Sequence, residues 1–76
     1  MTESQVLLDY MLMLANKMNL AARHDCRDSY DYNSNLLNYT RGIAKDMGYE
    51  TELSWDDNGL ITEVGCGDLK GQAVVQ

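Results

Sequence analysis

Leu7, Met11, Leu14, Met18 and Ala21 recur at spacings of four and three, the period of one helical face. No Gly or Pro interrupts the chain before Arg23, and Leu, Met, Ala and Lys favour helix intrinsically. Thr2 and Gln5 hold the two positions of a capping box. A first helix is predicted from there to about Arg23, with Gln5, Asp9, Asn16, Asn19 and Arg23 on its polar side. At about 100° per residue, Leu12 falls inside that polar stripe and Leu8 at its margin. Two leucines one turn apart on a polar face mark Leu8 and Leu12 as a candidate homodimer contact.

From His24 to Ser34 the chain is crowded with Asp, Asn, Ser and Tyr, whose short polar side chains compete for backbone groups and favour turns. A second helix is predicted to begin between Ser29 and Ser34. Its buried stripe reads Tyr32, Leu36, Ile43 and Met47, joined by Tyr39 or Thr40. Gly48 suits the left-handed residue that ends a helix, and Lys45 stands in the last turn, where the dipole favours a cation. Gly42 costs about 1 kcal/mol relative to Ala in a helix interior, so it either permits close packing or marks a weak point.

The period then changes from 3.6 to 2. Tyr49, Thr51, Leu53 and Trp55 alternate with Glu50, Glu52 and Ser54, the pattern of a half-buried strand. Asn58-Gly59 is a strong hairpin signal, and Leu60, Thr62 and Val64 alternate with Ile61 and Glu63 on a second strand. A two-residue loop pairs Trp55 with Thr62, Leu53 with Val64 and Thr51 with Cys66, and a four-residue loop keeps the same faces. A three-residue loop would set Leu53 opposite Glu63, so the pattern excludes it. The inner face is then Tyr49, Leu53, Trp55, Val64 and Cys66, and the outer face Glu50, Glu52 and Glu63, with Asp56 beside them. Gly67-Asp68 and Gly71 mark turns, and the residues after Cys66 form either a short third strand or a frayed end. The expected fold is one α+β domain, two helices packed on one face of a C-terminal β-hairpin or small antiparallel sheet.

Charge changes this picture. Seven carboxylates lie between Asp46 and Leu69 with no Lys or Arg among them, while the first forty-five residues are balanced. The net charge of −6 therefore comes from the C-terminal third. On the hairpin it becomes a structured acidic face. Charge on a hairpin discourages edge pairing, which gives the face one use. Solubility alone does not require a complete exclusion of bases. Such a face has no electrostatic attraction to nucleic-acid phosphates or an anionic membrane. It suits a basic protein surface instead.

Neither cofactor nor metal is implied. His24, Asp25, Cys26, Asp28 and Cys66 lack the spacing of a zinc site, and Asp56-Asp57-Asn58-Gly59 lacks the distal Glu of a calcium loop. No nucleophile motif surrounds the only His, and no phosphate loop occurs, so an enzyme or small metal protein ranks last among the readings. No basic segment leads into an apolar stretch at the N-terminus, and Val6–Leu14 is too short to span a bilayer. The chain reads as cytoplasmic, with Cys26 and Cys66 as reduced, small core residues.

The expected function is that of a small inhibitory or regulatory protein whose acidic face docks on the basic, nucleic-acid-binding surface of a larger protein. Its contact residues are Glu50, Glu52, Asp56, Asp57 and Glu63, with Tyr30 and Tyr32 as aromatic contacts. Successive outward residues on a strand, such as Glu50 and Glu52, are spaced about as far apart as two phosphates of a nucleic-acid strand. In profile alone the chain is similar to small phage-encoded inhibitors, including anti-CRISPR and nucleic-acid-mimic types. That likeness implies no role for any residue. The alternative is an assembly module that acts by homodimerisation.

Overall fold

Two antiparallel helices cover one face of a three-stranded antiparallel sheet in the computed structural model, which describes residues 1–75. The order is α1 (Glu3–Arg23), α2 (Arg27–Asp46), β1 (Thr51–Trp55), β2 (Ile61–Cys66) and β3 (Leu69–Gln72), with β2 central. The chain is therefore α+β, and the residues after Cys66 supply a third strand.

Both helices end in the same way. After α2, Gly48 adopts φ +93°, and Tyr49 N–H donates to Ala44 C=O while Gly48 N–H donates to Lys45 C=O. After α1, Asp25 takes the left-handed position at φ 56°, and Cys26 N–H donates to Ala21 C=O. Asp is one of the few non-glycine residues that tolerates this conformation. The tight exit lets α2 begin at Arg27, two residues before the earliest start predicted. At the other end of α1, Thr2 Oγ1 accepts from Gln5 N–H at 3.2 Å. The Gln5 side chain turns forward to Asp9 rather than back to the cap.

The buried arc of α1 is wider than a single stripe, because α1 packs on both α2 and the sheet. Leu8, at 3% exposure, is buried with Met11, Leu14, Ala15, Met18, Asn19 and Ala21. Leu12 packs on the core against β3, so close to Gly71 that a Cβ there would collide with its Cδ1. Leu8 is thus buried in the core and Leu12 half-buried against it, so the two do not form the exposed pair the spacing implied. The polar side predicted for α1 also loses Asn19, which is buried.

The register of α2 on the core is rotated by one position. Its buried residues are Asn33, Leu37, Thr40 and Ala44, whereas Tyr32, Tyr39, Ile43 and Met47 are exposed and Leu36 is half-buried. Small and locally satisfied side chains let α2 approach α1 closely. Thr40 Oγ1 donates to Leu36 C=O at 2.8 Å and Asn33 Nδ2 to Ser29 C=O at 2.8 Å, so burying them leaves no orphaned polar atom. Gly42 faces open space and permits no close approach.

The hairpin combines the excluded loop length with a bulge. Asp56 N–H donates to Leu60 C=O, enclosing the three residues Asp57, Asn58 and Gly59, with Gly59 at φ +80°. Trp55 pairs with Ile61 but Ser54 pairs with Glu63, so Thr62 is an extra residue on β2. The bulge restores Leu53↔Val64 and Thr51↔Cys66, as the hydrophobic pattern required. It also reverses the parity next to the loop. On β2 this turns Ile61 fully into the core; Trp55 opposite it keeps the inward parity of Leu53 and is 48% exposed.

Candidate partner-binding surface

The helices cover the inner side of the sheet and leave its outer side open. The strand pairing sets two rows across that outer face, Glu52–Gly65–Lys70 and Ser54–Glu63–Gln72. Glu50 has the parity of Glu52 and is exposed just before β1. Glu50, Glu52 and Glu63 therefore share one face, as the alternation implied.

Lys70 qualifies the acidic character of this face. It follows the acidic stretch directly in sequence, and the β2–β3 turn folds it back beside Glu52, with only Gly65 between them. Its stem lies over the bare Gly65 backbone, with Cγ 3.8 Å from where a Cβ would stand. A second base approaches from α2. Arg41 is half-buried, donating from Nε to Thr51 Oγ1 at 2.9 Å, and lines a shallow groove shared with Lys45, Glu50 and Glu52. A linear run of carboxylates does not reveal such neighbours, because pairing and packing bring them in from outside it.

No base within ion-pair distance holds Glu50, Glu52 or Glu63. Among the described residues the one ion pair is Arg27–Asp31 at 3.9 Å, between exposed side chains one helical turn apart. Glu63 Oε2 instead accepts from Gln72 Nε2 at 2.7 Å, which holds it in place without neutralising it. The face is net negative with one ammonium at its β3 side. Strand pairing fixes the backbone carrying Glu52 and Glu63, and Gly67 N–H donating to Glu50 C=O at 2.8 Å continues it to Glu50.

The other expected contact residues divide. Asp57 is exposed at the loop tip. Asp56 is engaged in the loop itself, where its Oδ1 accepts from Asn58 N–H and Leu60 N–H, both at 2.9 Å. Tyr30 and Tyr32 lie in α2 rather than in a loop, about 200° apart around its axis, so they cannot form one contact. Tyr30 packs against the core, whereas Tyr32 is exposed. Neither joins the acidic face. Trp55, which the pattern placed inside, is the exposed aromatic at the loop end of β1.

Asn19, expected on the polar side of α1, is buried and positions the sheet. Its Oδ1 accepts from Ile61 N–H at 2.8 Å, and its Nδ2 donates to Ile61 C=O at 2.8 Å and Val74 C=O at 2.9 Å. One buried amide thus anchors both the start of β2 and the segment after β3 to α1. Nothing in helical periodicity distinguishes such an Asn from a solvated one.

The thiols also divide. Cys66 is buried in the core and its thiol is pushed up by that burial, whereas Cys26 is exposed, contrary to the expectation of two core cysteines. Tyr49 donates its hydroxyl to Glu3 Oε1 at 3.3 Å, tying the start of α1 to the entry of β1. Its phenol is pushed up by desolvation first and by the negative charge of Glu3 second. Among the described residues no three His, Cys, Asp or Glu side chains gather as metal ligands, and no helix is long and apolar enough to cross a membrane. No family model, curated protein or solved structure matches the chain.

Proposed function

We propose that this protein is an inhibitory or regulatory binding module that docks through the outer face of its sheet on a basic, nucleic-acid-binding surface of a larger protein. The observation that supports this reading is the open face carrying Glu50, Glu52 and Glu63, none of them within ion-pair distance of a base. A charged face held by strand pairing loses little conformational freedom on docking, and complementary charge accelerates encounter. Asp57 extends the negative surface to the loop tip. Lys70 on β3 shifts the contact towards Glu50, Glu52 and the loop, with Arg41 and Lys45 bounding it at the α2 edge of β1.

The test is affinity capture from the source cells with the wild-type chain and with Glu50→Lys/Glu52→Lys as paired baits. A basic nucleic-acid-binding protein retained by the first bait and lost from the second supports the reading. Equal retention by both removes it. A second reading, assembly through a copy of the same chain, draws on a different surface, the exposed apolar side of the helix pair.

A further inference from the structure

Six large apolar side chains crowd one side of the helical pair. Tyr32, Tyr39, Ile43 and Met47 form a stripe along α2 with exposures of 67%, 70%, 38% and 43%. Val6 and Tyr10 stand on α1 with exposures of 52% and 41%. At about 100° per residue, the α2 stripe lies roughly opposite Arg41, which reaches β1, and Tyr10 lies roughly opposite Leu12, which meets β3. Both sets therefore face away from the sheet. The Tyr49–Glu3 hydrogen bond at one end and the short Asp25 turn at the other fix the antiparallel alignment. That alignment brings Tyr10 and Val6 level with Tyr39 and Ile43, so the two sets form one surface.

We propose that a second copy of this chain covers this surface, giving a two-fold dimer with the helical layers face to face. The area supports this occupant. A full aromatic side chain presents about 150–250 Å², so the six residues expose on the order of 600 Å². That matches the largest apolar patch of a typical monomer, and with a polar rim it approaches the ~800 Å² per partner of a stable interface. The six side chains are uncharged, and exposed Asp46 stands at the margin of the α2 stripe, one turn after Ile43. A two-fold axis near Tyr39 would stack that ring on its own copy, as self-complementary surfaces require. Two chains of charge −6 repel, and helix-to-helix contact places both acidic sheet faces on opposite outer sides, where the repulsion is least. This inference is independent of what the acidic face binds.

Sedimentation velocity over a dilution series up to millimolar concentration tests it. The wild-type chain is expected at twice the 8.6 kDa protomer mass, dissociating on dilution. Tyr39→Glu/Ile43→Glu is expected to be monomeric with unchanged helical circular dichroism. Should that variant unfold, oxidation of Tyr39→Cys in a Cys26→Ser background decides. Cross-linking of the new thiol to its own copy supports the dimer, with Trp55→Cys as the uncross-linked control. A wild-type monomer throughout the series overturns the proposal, as does a dimer that survives the charge substitutions or a Tyr39→Cys chain that fails to cross-link.

Discussion

Replacing Asn19 with Ala should destabilise this fold more than any other single truncation of a polar side chain. The amide makes three hydrogen bonds to backbone groups, two of them to Ile61, which is fully buried. Its loss leaves the Ile61 N–H and C=O without partners in a site water does not reach. Each of the two orphaned groups costs about 1–3 kcal/mol, so the substitution should cost about 2–6 kcal/mol. A domain of this length has a total stability of about 4–11 kcal/mol. Each kcal/mol shifts the midpoint of so small a domain by about 4–8 °C, giving an expected fall of about 10–50 °C. Thermal circular dichroism at matched protein concentration measures it, with Asn16→Ala as the control. Asn16 Oδ1 accepts only from the Val74 N–H, at 2.7 Å and in an exposed setting, so its loss should cost under about 1 kcal/mol. Asn19→Asp keeps the acceptor for Ile61 N–H but turns a carboxylate towards two carbonyl oxygens. It should be destabilising at neutral pH and should partly recover in acid, where the protonated group donates again. An Asn19→Ala midpoint within a few degrees of the control would refute the anchoring role.

Two further outcomes follow from packing and titration. Gly71→Ala should cost about 1–3 kcal/mol because the new methyl group meets Leu12, and Leu12→Ala in the same chain should recover part of that loss, a coupling read from a denaturant double-mutant cycle. Cys66 and Tyr49 hold their protons more tightly folded than unfolded, so the stability they contribute is complete below the ordinary thiol value of 9.0. It is lost as pH rises, first as the unfolded thiol ionises and then as the unfolded phenol does near its ordinary 10.0. Thermal scans above neutrality should show both declines, with Cys66→Ala removing the first and Tyr49→Phe the second.

The elements were legible because each is signalled locally. The Met and Leu period of α1, Gly48 at the end of α2 and the alternation from Tyr49 to Trp55 depend on nearest neighbours along the chain. Facing was less legible. In α2 the apolar stripe and the buried stripe differ, because Ala44, Thr40 and Asn33 allow a close approach that Tyr and Ile do not. The hydrophobic pattern set the pairing of Leu53 with Val64 correctly, but a bulge reached that pairing through a loop the pattern excluded. Parity identified the outer acidic face from residue types alone. It did not reveal Lys70, which reaches that face through the β2–β3 turn, or Arg41, which comes to the edge of β1 from α2.

The central claim is that the outer face of the sheet recognises a basic protein surface, and association kinetics test it most directly. Stopped-flow rates with the captured partner, taken across a series of ionic strengths, compare the wild-type chain with Glu50→Lys/Glu52→Lys. The docking account predicts a wild-type rate that falls steeply with salt. It also predicts a reversed chain slower by on the order of tenfold or more at low salt, with a weaker salt dependence and an unchanged thermal midpoint. Rates that respond neither to the reversal nor to salt would contradict it and leave the carboxylates as a solubilising cover for the sheet.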